Sequence, residues 1–186
     1  AGPRGGVGGA IVAAKPEMAA KGAATANARG TTCRPFDAWL GLRGVKTRPL
    51  RMQAHEKNAA ALAQFLDAHP RVEHVYYPGL PAHPQHALAR SQQHGFGAML
   101  SFDLQGGEDA VFRLVERLKL YAFAESLGGV ESLIEHPVSM RHAAMSPEAQ
   151  AAAGIGPGLV RVPVGPAARP ALRPHRAQPP SRPPPP

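Results

Sequence analysis

The sequence predicts an α/β chain in which helices and strands alternate, and three observations carry that prediction. Segments with helical spacing of apolar residues and segments with strand alternation follow one another along the chain. The cleanest strand pattern, Ala98 to Leu104, lies between two helical stripes. Glycine and proline punctuate the joins, at Pro78-Gly79 and Gly106-Gly107. Such alternation favours layers of helix on sheet over a bundle or a sandwich. The chain has 186 residues and 44% hydrophobic content, enough to bury a sizeable core.

The elements follow in order. Gly9 to Ala14 reads as a short buried strand, and Pro16 suits the first turn of a helix. Gly30 to Arg34 reads as a loop. Pro35 to Leu42 opens another helix, with Phe36, Trp39 and Leu40 on one face. Met52, His55, Ala59, Leu62, Phe65 and Leu66 then recur at helical spacing, and this helix should end near His69, ahead of Pro70. Val72 to Tyr77 reads as a strand. In Ala98 to Leu104, residues Ala98, Leu100, Phe102 and Leu104 share one face, and Met99, Ser101 and Asp103 share the other. Val111, Leu114, Val115 and Leu118 form a helical stripe, and Leu159 to Val164 a last strand.

The formal net charge is +8, but half of it sits in Pro166 to Pro186, which carries Arg169, Arg173, Arg176 and Arg182 and no acid. The rest is only mildly basic, without the clustered face that a nucleic-acid footprint needs, so no nucleic-acid partner is expected. Nine of those last 21 residues are proline, and the segment is expected to be disordered or polyproline-like. A lone cysteine, Cys33, rules out a disulfide within the chain and suits a reducing compartment. No run of about 18 apolar residues occurs, so no membrane span is expected. The N-terminus lacks the apolar core of a signal peptide, and the cytoplasm is the expected location.

Three features could carry chemistry. Glu125-Ser126-Leu127-Gly128-Gly129 places a serine before paired glycines, where backbone can approach a ligand closely. Arg161 lies between Val160 and Val162 on the last strand, so its side chain points opposite to theirs. A strand-held arginine suits bidentate carboxylate binding, although a solvent-facing arginine is the commoner outcome. His83, His86, His136 and His142 fit no standard zinc spacing, and no metal site is expected. There is no nucleophile elbow, P-loop or GxGxxG.

Together these motifs resemble a known family. Leu42-Arg43-Gly44-Val45-Lys46-Thr47 with Arg51-Met52 resembles the "LRGLKTL…RM" segment of the Cys/Met-metabolism pyridoxal-phosphate (PLP) enzymes. Tyr77 to Pro81 with His83, Pro84 and His86 resembles their "YPGLPSHPQH". Gly95 to Phe102 resembles "GFGGMLSF", and Ser126 to Pro137 resembles "SLGGVESLIEHP". His142-Ala143, Pro147-Glu148 and Gly154-Ile155 continue in register, and Leu159-Val160-Arg161 resembles the strand holding the substrate arginine. The resemblance covers about Val7 to Gly165, and its wording is nearest to cystathionine γ-synthases, with cystathionine β- and γ-lyases and O-acyl-homoserine sulfhydrylases close by.

The resemblance implies fold type I of the PLP-dependent transferases. Residues 1–50 would be the end of the PLP domain, 51–165 the small C-terminal αβ domain, and 166–186 a Pro/Arg-rich tail. It implies that Arg161 grips the substrate α-carboxylate, and that Ser126 and Glu125 border the cofactor and substrate. PLP is the implied cofactor, activated homoserine and cysteine the implied substrates, and a homotetramer the implied assembly. The implied reaction is transsulfuration: γ-replacement of the activated homoserine in methionine biosynthesis. The Schiff-base lysine would fall at or before residue 1, since none of Lys15, Lys21, Lys46, Lys57 or Lys119 has the matching context. The chain is therefore expected to be a fragment, inactive alone. After Gly165 the family's acidic helix gives way to Arg, Pro and Ala, which reads as a shifted frame. The competing reading from another class is a non-catalytic αβ scaffold displaying a Pro-rich interaction tail.

Overall fold

A computed structural model describes residues 9–166. The Pro/Arg-rich segment lies outside the described residues apart from Pro166. The chain divides between Pro49 and Leu50 into two compact units.

The first unit carries two helices, α1 (Pro16–Arg29) and α2 (Pro35–Lys46). Each starts at a proline, whose missing N–H costs nothing in a first turn. Gly30 ends α1 at φ 64°, where its N–H reaches Asn27 O and that of Thr31 reaches Ala26 O. These are the two bonds of a Schellman cap, and glycine takes the left-handed turn without a Cβ penalty. Neither helix contains a buried residue. Phe36 and Trp39 stack at 6.0 Å, and the Arg43 guanidinium lies 5.7 Å from the Trp39 ring.

The expected strand at Gly9–Ala14 is not formed. Ile11 and Val12 are almost wholly exposed and pair with no strand among the described residues. An apolar run becomes a strand only when a neighbour satisfies its backbone groups.

The second unit is a sheet covered by helices. Helix α3 (Arg48–Asp67) leads into β1 (Val72–Tyr76), α4 (His86–Gln92), β2 (Met99–Leu104) and α5 (Gly107–Arg117). Two-residue strands β3 (Ala122–Phe123) and β4 (Leu133–Ile134), a short helix α6 (Pro147–Ala152) and β5 (Leu159–Pro163) complete it. Strands β1, β2 and β5 form an antiparallel sheet in that order, and β3 pairs with β4 in parallel. A bridge between Glu135 and Arg161 joins the two sheets.

The alternation expected in β2 places Leu100 and Phe102 inside. They pair with Val162 and Val160 of β5, so one face is apolar across both strands. That face shares a single cluster with Ala59, Leu62, Ala63 and Leu66 of α3 and Val111 of α5, with Leu114, Val115 and Leu118 packed against it. Phe65 stays half-exposed beside the His69 ring, at the margin of the stripe assigned to it. Helix α3 also anchors the end of β5, where the Asn58 amide donates to Gly165 O and Pro166 O, each at 2.9 Å. Among the described residues no helix is long and apolar enough to cross a membrane.

Candidate functional site: a carboxylate-bound arginine on the open sheet face

Because strand side chains alternate, burying Val160 and Val162 turns Arg161 to the opposite face. The register runs a row across the sheet there: Tyr76 pairs with Ser101, Ser101 with Arg161, and Arg161 with Glu135. Arg161 and Glu135 exchange both backbone bonds, N to O at 3.0 and 2.9 Å. Their side chains therefore stand side by side. Arg161 Nη1 donates to both Glu135 carboxylate oxygens at 2.9 Å. Arg141 approaches the same carboxylate from the following turn, its Nε 3.4 Å from Oε1.

Burial differs sharply within this group. The Glu135 side chain is 1% exposed, Arg161 is 17% and Arg141 is 42%. A carboxylate so enclosed needs charged partners. The cations reach solvent and keep donors outside the pair, since Glu135 engages only Nη1 of Arg161. A guanidinium held this way can offer its remaining fork to an external carboxylate.

The glycine-containing segment borders β5 from its far end. Gly128 adopts φ 79°, and Gly129 is buried. A Cβ on Gly165 would lie 2.5 Å from Val130 O and 2.6 Å from Glu131 C, so only glycine lets the segment touch the end of β5. The Gly165 N–H donates to Ser132 Oγ at 2.9 Å. Ala124 N–H donates to Ile134 O at 3.1 Å, which sets the start of the segment beside β4. Glu125 is exposed and Ser126 half-buried. Both follow β3, two strands across the sheet from Arg161, or about 10 Å. Glu125 and Ser126 thus follow a strand of the two-stranded sheet, while Arg161 lies in the three-stranded sheet, and the Glu135–Arg161 bridge links the two.

Sequence reasoning missed Glu135 and Arg141. Glu135 stands next to Leu133 and Ile134, and its burial follows only from a bridge to a residue 26 positions later. The neighbouring His136 is wholly buried. Its Nε2 donates to Pro157 O at 3.0 Å, and its Nδ1 lies 2.8 Å from Ser139 Oγ. It fixes the turn that presents Arg141. A separate cleft of about 770 Å³, lined by Glu73, Asp103, Gly106, Pro157 and Gly158 among others, includes none of Arg161, Glu135, Glu125 or Ser126.

The described residues do not make a PLP cradle by themselves. A lysine that forms an imine is desolvated or set against other cations. Lys15, Lys21, Lys46, Lys57 and Lys119 are all exposed.

Known proteins resemble the chain over most of its length. The profile of the Cys/Met metabolism PLP-dependent enzymes matches residues 1–167. An O-succinylhomoserine sulfhydrylase of Pseudomonas aeruginosa is 46% identical over 157 residues, covering 84% of this chain and 39% of its own. A cystathionine γ-lyase of Dictyostelium discoideum is 47% identical over 157 residues, 84% of this chain and 41% of its own. The crystal structure of a cystathionine γ-synthase from Xanthomonas oryzae pv. oryzae, in complex with aminoacrylate and cysteine, matches with a TM-score of 0.80 and 55% identity. That match covers 83% of this chain and 40% of the synthase. The chain thus spans about two fifths of the length of each of these relatives.

Proposed function

Because the chain belongs to the Cys/Met metabolism family of PLP-dependent enzymes, we propose that it forms the substrate-carboxylate wall of a transsulfuration enzyme of the cystathionine γ-synthase type. The proposed reaction replaces the γ-substituent of an activated homoserine with the sulfur of cysteine, a step of methionine biosynthesis. The observation that carries this reading is Arg161, held on β5 by a buried carboxylate and facing away from the core. In this role Arg161 takes the substrate α-carboxylate, while Glu125 and Ser126 border the substrate on the β3 side.

Residues 1–50 are read as the end of the cofactor domain and 51–165 as the small domain, which the division between Pro49 and Leu50 supports. The catalytic lysine is assigned to a part of the enzyme other than this chain, supported by the exposure of all five lysines present. The chain alone is therefore inactive. The proposed assembly is a homotetramer and the proposed location the cytoplasm, the latter supported by a single exposed thiol, Cys33. A lyase or sulfhydrylase reading stands second, favoured by relatives of those names that are 46% and 47% identical.

The test incubates the 186-residue chain with PLP, reduces it with borohydride and maps the lysines by mass spectrometry. The expected result is no pyridoxyl-lysine above background, and no cystathionine from O-succinylhomoserine and cysteine. A stoichiometric adduct at one lysine, with turnover, would overturn the assignment of the lysine elsewhere.

A further inference from the structure

The cleft of about 770 Å³ carries charge of one sign. Leu104, Val138, Ile155 and Pro157 give it apolar walls, and Glu73 and Asp103 are its charged residues. Among the described residues, no lysine, arginine or histidine lines it. The Tyr76 hydroxyl donates to Asp103 Oδ2 at 2.7 Å, which fixes that carboxylate on the outward face of β2. The surrounding unit repeats the sign. Residues 50–165 hold eleven carboxylates against nine Lys or Arg side chains, whereas 166–186 hold four arginines and no acid. Joined on one chain, such opposite charges meet at a high effective concentration.

Chain length decides which arginines can arrive. The start of β5 borders the cleft, because Gly158 lines it and accepts from Leu104 N–H at 2.9 Å. Pro166 lies past the other end of β5, held there by the Asn58 amide. The way back from Pro166 to Gly158 is at most roughly 26 Å, at ~3.3 Å per strand residue. A proline-rich chain advances ~3.1 Å per residue, so the return takes about eight to ten residues with the reversal included. Arg169 falls short of the cleft and Arg182 runs past it, while Arg173 and Arg176 come level with it. At three residues per turn of polyproline helix, these two arginines share one face, about 9 Å apart.

We propose that residues 167–186 fold back on their own chain and dock in this cleft, with Arg173 and Arg176 against Asp103 and Glu73. Asp103 lies two positions along β2 from Ser101, the partner of Arg161, so the docked segment sits beside the carboxylate site and outside it.

The test uses the full 186-residue chain carrying Arg173→Lys and Arg176→Lys, which keeps both charges and supplies amines. Equal amounts of isotope-labelled and unlabelled chain are mixed and treated with a carbodiimide, which joins an amine to a carboxylate in contact with it. Mass spectrometry then maps the links. The introduced lysines should link within one chain to Glu73 or Asp103, about fivefold more than to the exposed Glu116 of α5, the preference that two exposed ion pairs give. About 1 M sodium chloride should abolish the excess. No excess over Glu116, or an excess that survives the salt, overturns the proposal. So do links that join labelled to unlabelled chains, which would make the occupant the segment of a second copy. A second measurement leaves the described unit unsubstituted and compares the native chain with Arg173→Ser plus Arg176→Ser by hydrogen exchange. The Gly154–Gly158 amides should exchange about fivefold faster in the variant, and an unchanged rate overturns the docking.

Discussion

Replacing Arg161 with methionine tests how the site is held. The substitution keeps most of the aliphatic length and removes the two 2.9 Å contacts to Glu135. The carboxylate left behind is 1% exposed, and its remaining partner, Arg141 Nε, lies 3.4 Å away on a side chain that is 42% exposed. Stranding one partner of a buried ion pair costs about 3–5 kcal/mol. Arg141 offsets part of that, which puts the loss near the lower end, about 3 kcal/mol. For a unit of this size that corresponds to a drop of about 10 °C in melting temperature. The double variant Glu135→Leu with Arg161→Met removes the stranded charge, and Arg141 can then turn to water. It should recover all but about 1 kcal/mol, because apolar replacements of buried pairs are close to neutral. Urea unfolding measures both, with the midpoint moving and the slope unchanged. A single variant that loses under about 1 kcal/mol, or a double variant no more stable than the single, would falsify the view that Glu135 depends on Arg161.

Two further outcomes follow from the same structure. Tyr121 Oη is buried without a hydrogen-bond partner among the described residues, and burial pushes its hydroxyl up to about 12. Tyr121→Phe should therefore raise the urea midpoint, by about 1 kcal/mol of stability, and a loss of that size would show a partner for the hydroxyl. His55 is buried, and desolvation, with the Arg51 charge adding to it, holds its protonation below the usual 6.5 against a backbone contact at Val164. As pH falls through 6.5 the unfolded chain takes up this proton before the native one does. Stability should fall over that window and level off once native His55 is itself protonated. Urea midpoints between about pH 5 and 8 should slope less in His55→Gln, and an unchanged slope would contradict the burial of the ring.

What the sequence conveyed depended on the range of the interaction. The alternation of β2 and the stripe of α5 are local patterns, and burying Leu100, Phe102 and Val111 reproduces them. The outward direction of Arg161 follows from the same alternation. The short apolar run at Gly9–Ala14 carried no such signal, because a strand is made by its neighbour. Strands β3 and β4 have two residues each, too few for any period to register. Glu135 was invisible for a related reason. Its burial comes from pairing with β5, and a glutamate read in isolation is a surface residue. Arg141 gains meaning only through Glu135. Motif wording could place the family, whereas the ion-paired cluster at the site required the fold.

The central claim is that Arg161 presents its free donors to the carboxylate of an amino acid. The most direct measurement follows the side-chain Nε–H resonances of the arginines by NMR, with the Arg161 signal assigned through its loss in Arg161→Lys. L-cysteine is added in one titration and cysteamine, the same molecule without the carboxylate, in the other. The account predicts that the Arg161 signal shifts with L-cysteine and stays in place with cysteamine. An Arg161 signal that is unmoved by L-cysteine, or moved equally by both, would contradict it.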